Sequence, residues 1–268
     1  MSRIAQTMAH LRQQRRLGLI AYLTVGYPDV AATLRLVPAL AAGGADMVEL
    51  GVPFSDPLAD GATIQRASHH ALQQGVTPAV CLDVVQQLRT GGLAIPLLLM
   101  GYYNSILAYG IEDFARDAAA AGADGFITVD LPPEEAAGVQ TACAGRGLDL
   151  IYLLAPTSSD ERIALVAAQA SGFIYCVSLT GVTGARGQLP PGLAKFLARV
   201  RRHTPLPLAV GFGISRPQQV ETLARLGAQA AVIGSAIIDL IDRTPAEERE
   251  ERVREYVEVV TGRRGATV

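Results

Sequence analysis

Eight short apolar runs punctuate this chain, and the stretches between them carry apolar residues at helical spacing. The runs fall at 19–25, 47–52, 96–101, 126–129, 150–154, 173–177, 206–210 and 230–233. Between them, segments such as 32–42, 111–121 and 217–226 repeat apolar side chains every three or four residues, the period of one helix face. Such alternation implies parallel strands with helices outside. Runs with almost no polar interruption fit strands buried on both faces.

The joins repeat as well. Ala-Gly-Gly-Ala-Asp at 42–46, Ala-Gly-Ala-Asp at 121–124 and Leu-Gly-Ala-Gln at 226–229 each close a helix and precede a strand. Glycine reaches the left-handed conformation that terminates a helix, so Gly44, Gly122 and Gly227 read as helix ends. They are spaced by about two and three strand–helix units. Two architectures offer parallel strands in this number. An open dinucleotide-binding sheet needs a glycine-rich fingerprint after its first strand, and Thr24-Val25-Gly26-Tyr27-Pro28 lacks one. The 268 residues are close to the ~250 typical of a (β/α)8 TIM barrel, which is the expected fold. The whole of 1–268 reads as one barrel domain. Residues 1–14 form an extra N-terminal helix, expected to close the bottom of the barrel.

Composition narrows the function. Half the residues are hydrophobic and the net charge is −2, so neither a disordered chain nor a nucleic-acid-binding one is expected. Basic residues cluster only at 12–16 and 199–203, where solvated helix ends explain them. No run approaches the roughly 20 apolar residues of a membrane helix, and Met1-Ser2-Arg3 is followed by no signal-peptide core. Cys81, Cys143 and Cys176 are odd in number and widely spaced, which suggests reduced thiols in a cytoplasmic protein. His10, His69, His70 and His203 show no metal-ligand spacing with acidic residues, so no metal is expected.

In such barrels chemistry sits at the carboxyl ends of the strands. Glu49 interrupts the second run. If Val48 and Leu50 face the helices, alternation turns Glu49 into the barrel, where burial raises its pKa toward the range of an acid–base group. A salt-bridged strand end is the alternative, but no Lys or Arg lies within ten residues on either side. Asp60 ends the connection 52–61, which is longer than the usual two to six residues of such a link. An Asp among prolines is often only a turn former. Val210-Gly211-Phe212-Gly213 and Ile233-Gly234-Ser235 follow the seventh and eighth runs, where barrels often bind phosphate on backbone N–H groups. Tight turns would explain the glycines otherwise. The segment 180–187 holds three glycines and reads as a lid or as a flexible connector. Lys195 is the only lysine and falls on a helix, so a Schiff-base aldolase is improbable. Carbon–carbon cleavage would have to run on acid–base catalysis alone, with an electron sink in the substrate.

Together Glu49 to Gly61, Met100-Gly101-Tyr102-Tyr103-Asn104, Asp130-Leu131-Pro132-Pro133-Glu134-Glu135, Gly181 to Gly187, Gly211 to Gly213 and Gly234-Ser235 resemble the tryptophan synthase alpha subunit family, in its order and over nearly the whole chain. The resemblance implies cleavage of indole-3-glycerol phosphate to indole and glyceraldehyde 3-phosphate. It implies that Glu49 shuttles protons, that Asp60 meets the indole N–H and that Tyr175 sits near the reacting centre. Tyr22, Met100, Ile127, Val129, Leu153 and Phe212 would line the indole pocket. Gly184, Gly213, Gly234 and Ser235 would hold the phosphate, and Thr183 would close against Asp60. It further implies an α2β2 assembly. Indole would pass to a beta subunit that meets Pro53, Asp56 and Asn104 and alone carries pyridoxal phosphate. Leu179, Tyr22, Ser105 and Thr128 depart from residues frequent in the family. Phosphate loops alone would also suit a phosphosugar isomerase, against which the segment 53–61 argues; a chain that only binds and activates a beta-type partner is the third reading, against which the two intact carboxylates argue.

Overall fold

The computed structural model describes residues 1–178, 189–211 and 213–264. Its elements run α1 (Arg3–Gln13), β1 (Gly18–Thr24), α2 (Val30–Gly43), β2 (Met47–Gly51), α3 (Ala62–Gln73), α4 (Pro78–Thr90), β3 (Leu97–Gly101), α5 (Tyr103–Tyr109), α6 (Ile111–Ala121) and β4 (Gly125–Thr128). They continue with α7 (Ala137–Ala144), β5 (Asp149–Leu154), α8 (Asp160–Gln169), β6 (Ile174–Val177), α9 (Leu193–Arg201), β7 (Leu208–Gly211), α10 (Pro217–Arg225), β8 (Ala230–Ile233), α11 (Ser235–Arg243) and α12 (Arg249–Val260). The eight strands close in sequence order, all parallel, with β1 paired to β8. This is the expected (β/α)8 barrel.

Strand alternation divides the core in two. Val48, Leu50, Leu97, Leu99, Phe126, Leu150 and Cys176 point outward into the helix layer. Ile20, Met47, Leu98, Ile127, Ile151 and Phe173 point inward and fill the barrel. Ile4, Met8 and Leu11 of α1, spaced along one helical face, join this interior cluster, so α1 plugs the barrel as anticipated. Aspartates before the strands fasten it at the amino-terminal rim. Ser2 Oγ donates to Asp149 at 2.5 Å, and Arg3 pairs with Asp124, which also takes Arg89 at 2.6 Å and the Leu97 N–H at 2.7 Å. Gly44, Gly122 and Gly227 do end helices, at φ values of +113°, +93° and +81°.

Two connections are richer than one helix each. Between β2 and β3, Gly75 at φ +77° ends α3, and Thr77 caps α4 with Pro78 in its first turn. Between β3 and β4, Gly110 at φ +100° separates α5 from α6. The seventh apolar run starts earlier than its strand because Pro205 and Pro207 precede β7.

Candidate active site

Glu49 lies in the middle of β2, in register with Tyr22 of β1 and Leu98 of β3. Its outward neighbours Val48 and Leu50 and its inward neighbour Met47 set its direction, so the carboxyl points into the barrel. It is fully buried, and neither carboxyl oxygen has a hydrogen-bond partner among the described residues. Burial therefore pushes its pKa up to about 8. A carboxyl left unpaired in an apolar interior is costly to the fold, which makes Glu49 a candidate for chemistry.

Asp60 sits above it on the connection 52–61. That loop is tied at its base, where the Phe54 N–H donates to Ser68 Oγ at 2.8 Å and Ser68 donates back to the Phe54 carbonyl at 3.0 Å. Near its end, Gln65 donates to the Asp60 carbonyl at 2.9 Å. The Asp60 carboxylate accepts a hydrogen bond from the Tyr102 hydroxyl at 3.0 Å. Burial raises its pKa to about 6, with the Tyr102 bond pulling the other way. The site thus sets two carboxyls about two units apart, the separation that lets one act as acid while the other stays ionised.

Three phenols surround the pair. Tyr22 and Tyr175 face the interior from β1 and β6, and Tyr102 follows β3. Burial, together with the nearby Asp60 and Glu49 charges, raises Tyr22 and Tyr175 far above the usual phenol range, so both stay neutral. Each ring lies over a glycine: a side chain at Gly51 would overlap the Tyr22 phenol, and one at Gly211 would overlap that of Tyr175. Tyr22 also shares a hydrogen bond of 3.2 Å with Thr24. Gly51→Ala is expected to force Tyr22 aside and cost about 1–3 kcal/mol as an overpacked core does, read as a shift in the urea midpoint at unchanged slope. An unchanged midpoint would mean that the ring yields freely.

A small recess opens beside these groups. Tyr22, Asp60, Met100, Tyr102 and Val129 line it, and Val52, Ile64, Ser68 and Gly101 complete the wall. Tyr22, Met100 and Val129, expected on the indole pocket, thus meet Asp60. Ile127 and Leu153 belong to or pack on the interior cluster but do not line this recess, nor does Glu49. Phe212, Gly184, Thr183 and Leu179 lie outside the described residues. Of the residues expected to hold phosphate, Gly213 after β7 has φ +79°, a turn that favours glycine, and its carbonyl accepts from Gln219 at 3.2 Å. Gly234 and Ser235 open α11, whose first turn has no side-chain cap. Its N–H groups and positive end suit an anion. At the rim Asp56 and Asn104 are exposed and Pro53 is buried.

Reading the sequence singled out neither Tyr102, Ile64 nor Ser68 for a role. Tyr102 acts across 42 residues of chain, and no local pattern signals it. Thr128, a departure from residues frequent in the family, keeps on β4 a buried hydroxyl with no hydrogen-bond partner among the described residues. Lys195 is exposed on α9. No cluster of three or more His, Cys, Asp or Glu among the described residues could hold a metal.

Fold and site define a class: a (β/α)8 barrel with two carboxyls of raised pKa, Glu49 and Asp60, at the carboxyl-terminal side of its strands. Known proteins narrow it. The family model "Tryptophan synthase alpha chain" matches residues 8–266. The tryptophan synthase alpha chain of Roseiflexus sp. (strain RS-1) is 55% identical over 98% of this chain and 100% of its own length, and that of Chloroflexus aurantiacus is 53% identical over 96% of each. The solved tryptophan synthase subunit alpha of Legionella pneumophila superposes with a TM-score of 0.89 at 36% identity over 98% of both chains. The chain belongs to the tryptophan synthase alpha chain family.

Proposed function

We propose that this chain, acting as one barrel domain over 1–268, is the lyase that cleaves indole-3-glycerol phosphate to indole and glyceraldehyde 3-phosphate. The observation that carries the reading is Glu49: a buried carboxyl whose two oxygens have no hydrogen-bond partner among the described residues, turned into the barrel below the recess that Asp60 lines. With a pKa near 8 it holds a proton at neutral pH. It gives that proton to indole C3, and the ring becomes an indolenine with positive charge at nitrogen. The bond from C3 to the glycerol carbon then breaks, and its electron pair returns to the ring. The hydroxyl on that carbon loses its proton to Glu49 and becomes the aldehyde. Atoms and electrons balance with no oxidant or reductant.

Asp60, ionised near neutrality, accepts the indole N–H and offsets the developing charge. Tyr175 supplies a neutral phenol near the reacting centre. Tyr22, Met100, Ile127, Val129, Leu153 and Phe212 enclose the indole, while Gly184, Gly213, Gly234 and Ser235 take the phosphate and Thr183 closes the lid. Asp56 and Asn104, with Pro53 behind them, face a beta subunit in an α2β2 assembly. That subunit receives the indole and holds the pyridoxal phosphate; this chain takes no cofactor and works in the cytoplasm.

The test is indole release from indole-3-glycerol phosphate by the purified chain, alone and with a tryptophan synthase beta subunit. Indole should form in step with glyceraldehyde 3-phosphate and faster with the partner present. Partner activation without any cleavage would leave the chain a non-catalytic activator. Isomerisation of a phosphosugar in place of cleavage would assign it to a different barrel enzyme.

A further inference from the structure

Tyr102 is where the strand framework grips the loop that carries Asp60. It follows β3 directly and is 6% exposed. Its hydroxyl donates to Asp60 Oδ2 at 3.0 Å and accepts the Ala59 N–H at 2.9 Å. Its ring stacks on Phe54 near the start of the same loop, with centroids 4.9 Å apart and planes 22° from parallel. The next residue is fixed in turn, since the Tyr103 N–H donates to Asp130 at 2.7 Å. One side chain therefore holds the loop at both ends. Between those ends Ser55, Asp56, Leu58 and Ala59 are exposed, with Leu58 84% accessible, so the loop has little core of its own to fix Asp60.

We infer that Tyr102 is a positioning residue for Asp60: its hydroxyl aims the carboxylate into the recess, and its ring, stacked on Phe54, anchors the loop. The inference rests on the role proposed above for Asp60. Tyr102 acts through that residue and needs no contact with substrate.

The groups that interact with Asp60 are Tyr102 from the β3–α5 turn, Tyr22 from β1 and Tyr175 from β6, and Glu49 of β2 acts on Tyr22 and Tyr175. The three phenols are all held neutral, and Tyr102 is the one bonded to the carboxylate. A hydrogen bond to a carboxylate favours its charged form, and this one lowers the Asp60 pKa against the effect of burial. Removing the hydroxyl should therefore let Asp60 titrate at a higher pH.

Tyr102→Phe keeps the ring and its stack and deletes only the hydroxyl. In the alpha chain with its beta partner, kcat/KM should fall about tenfold, the scale of a lost hydrogen bond to a charged group. The acid limb of its pH profile should move upward. In an Asp60→Asn background the same change should add nothing. Infrared difference titration of the substrate-free chain, with Asp60→Asn as the blank, should show the Asp60 carboxyl ionising at higher pH in Tyr102→Phe. Phe54→Leu, which loosens the ring but leaves the hydroxyl, should shift that titration in the same direction by less. An unchanged Asp60 titration in Tyr102→Phe would overturn the inference. So would a tenfold loss that persists in the Asp60→Asn background, because it would place Tyr102 on the substrate. The infrared measurement does not depend on the reaction, so it still decides the point if indole release fails.

Discussion

Glu49→Gln should lose more than the ~10²-fold of an ordinary acid–base contribution, measured as indole release from indole-3-glycerol phosphate with the beta subunit present. Gln keeps the volume of the side chain but cannot give or take the proton at C3. Normal turnover by this variant would remove Glu49 from the chemistry. The same substitution has a second, independent signature in stability. The folded pKa of Glu49 is about 8 against an ordinary 4.5, with burial as the cause. Below pH 4.5 folded and unfolded chains both carry the proton, and the group does not bias folding. Between those values the unfolded chain ionises and the folded one does not, so fewer protons are bound on unfolding and stability falls as pH rises. Above pH 8 both are ionised and the fall stops. The slope approaches about 1.4 kcal/mol per pH unit, and Gln abolishes it. Urea unfolding at pH 5, 6 and 7.5 should show the variant gaining on the wild type at each step, since every other titrating group is shared. A difference that stays flat with pH would mean that Glu49 is not raised by burial. On the role proposed for Glu49, a group that weakens the fold at working pH is kept because it performs the reaction.

Asp60→Asn should also lose more than about 10²-fold in kcat/KM, by removing the charge that offsets the protonated ring. Its pH profile separates it from Glu49. In the wild type, kcat/KM should rise as Asp60 ionises near pH 6 and fall as Glu49 deprotonates near pH 8, giving a maximum close to neutrality. Activity should drop about tenfold per pH unit beyond each limb. Asn cannot titrate, so the variant should lose the acid limb and keep the basic one near 8. A variant whose acid limb persists near pH 6 would assign that limb to another group. The two limbs belong to residues on different elements, Glu49 on β2 and Asp60 on the following loop, so each substitution should erase one limb only.

Much of this was legible before any coordinates. Glu49 could be turned into the barrel from its neighbours alone, because a strand repeats every two residues and Val48 and Leu50 needed the helix layer. The end of a helix could be read at Gly122 because only glycine takes φ +93° without strain. Other features were not. Whether one helix or two bridges β2 and β3 depended on Gly75, Thr77 and Pro78 acting together, a break weaker than the apolar pattern around it. Pro53 and Asp56 share one sequence motif, yet Pro53 is buried while Asp56 is exposed. Adjacent positions on a loop share a motif without sharing an environment.

The sequence by itself determined the barrel, the plug formed by α1 and the direction of Glu49, because all three follow from periodicities and turn chemistry that act over a few residues. Tertiary structure alone decided that Glu49 has no hydrogen-bond partner among the described residues, that Asp60 is half-buried with a pKa near 6, and that Tyr102 holds it. Those properties arise where β1, β2, β3 and β6 converge, and a pKa depends on the water and charges that closure of the barrel removes or brings near. The residue types were written in the chain; their proton affinities were set by the company that folding gave them.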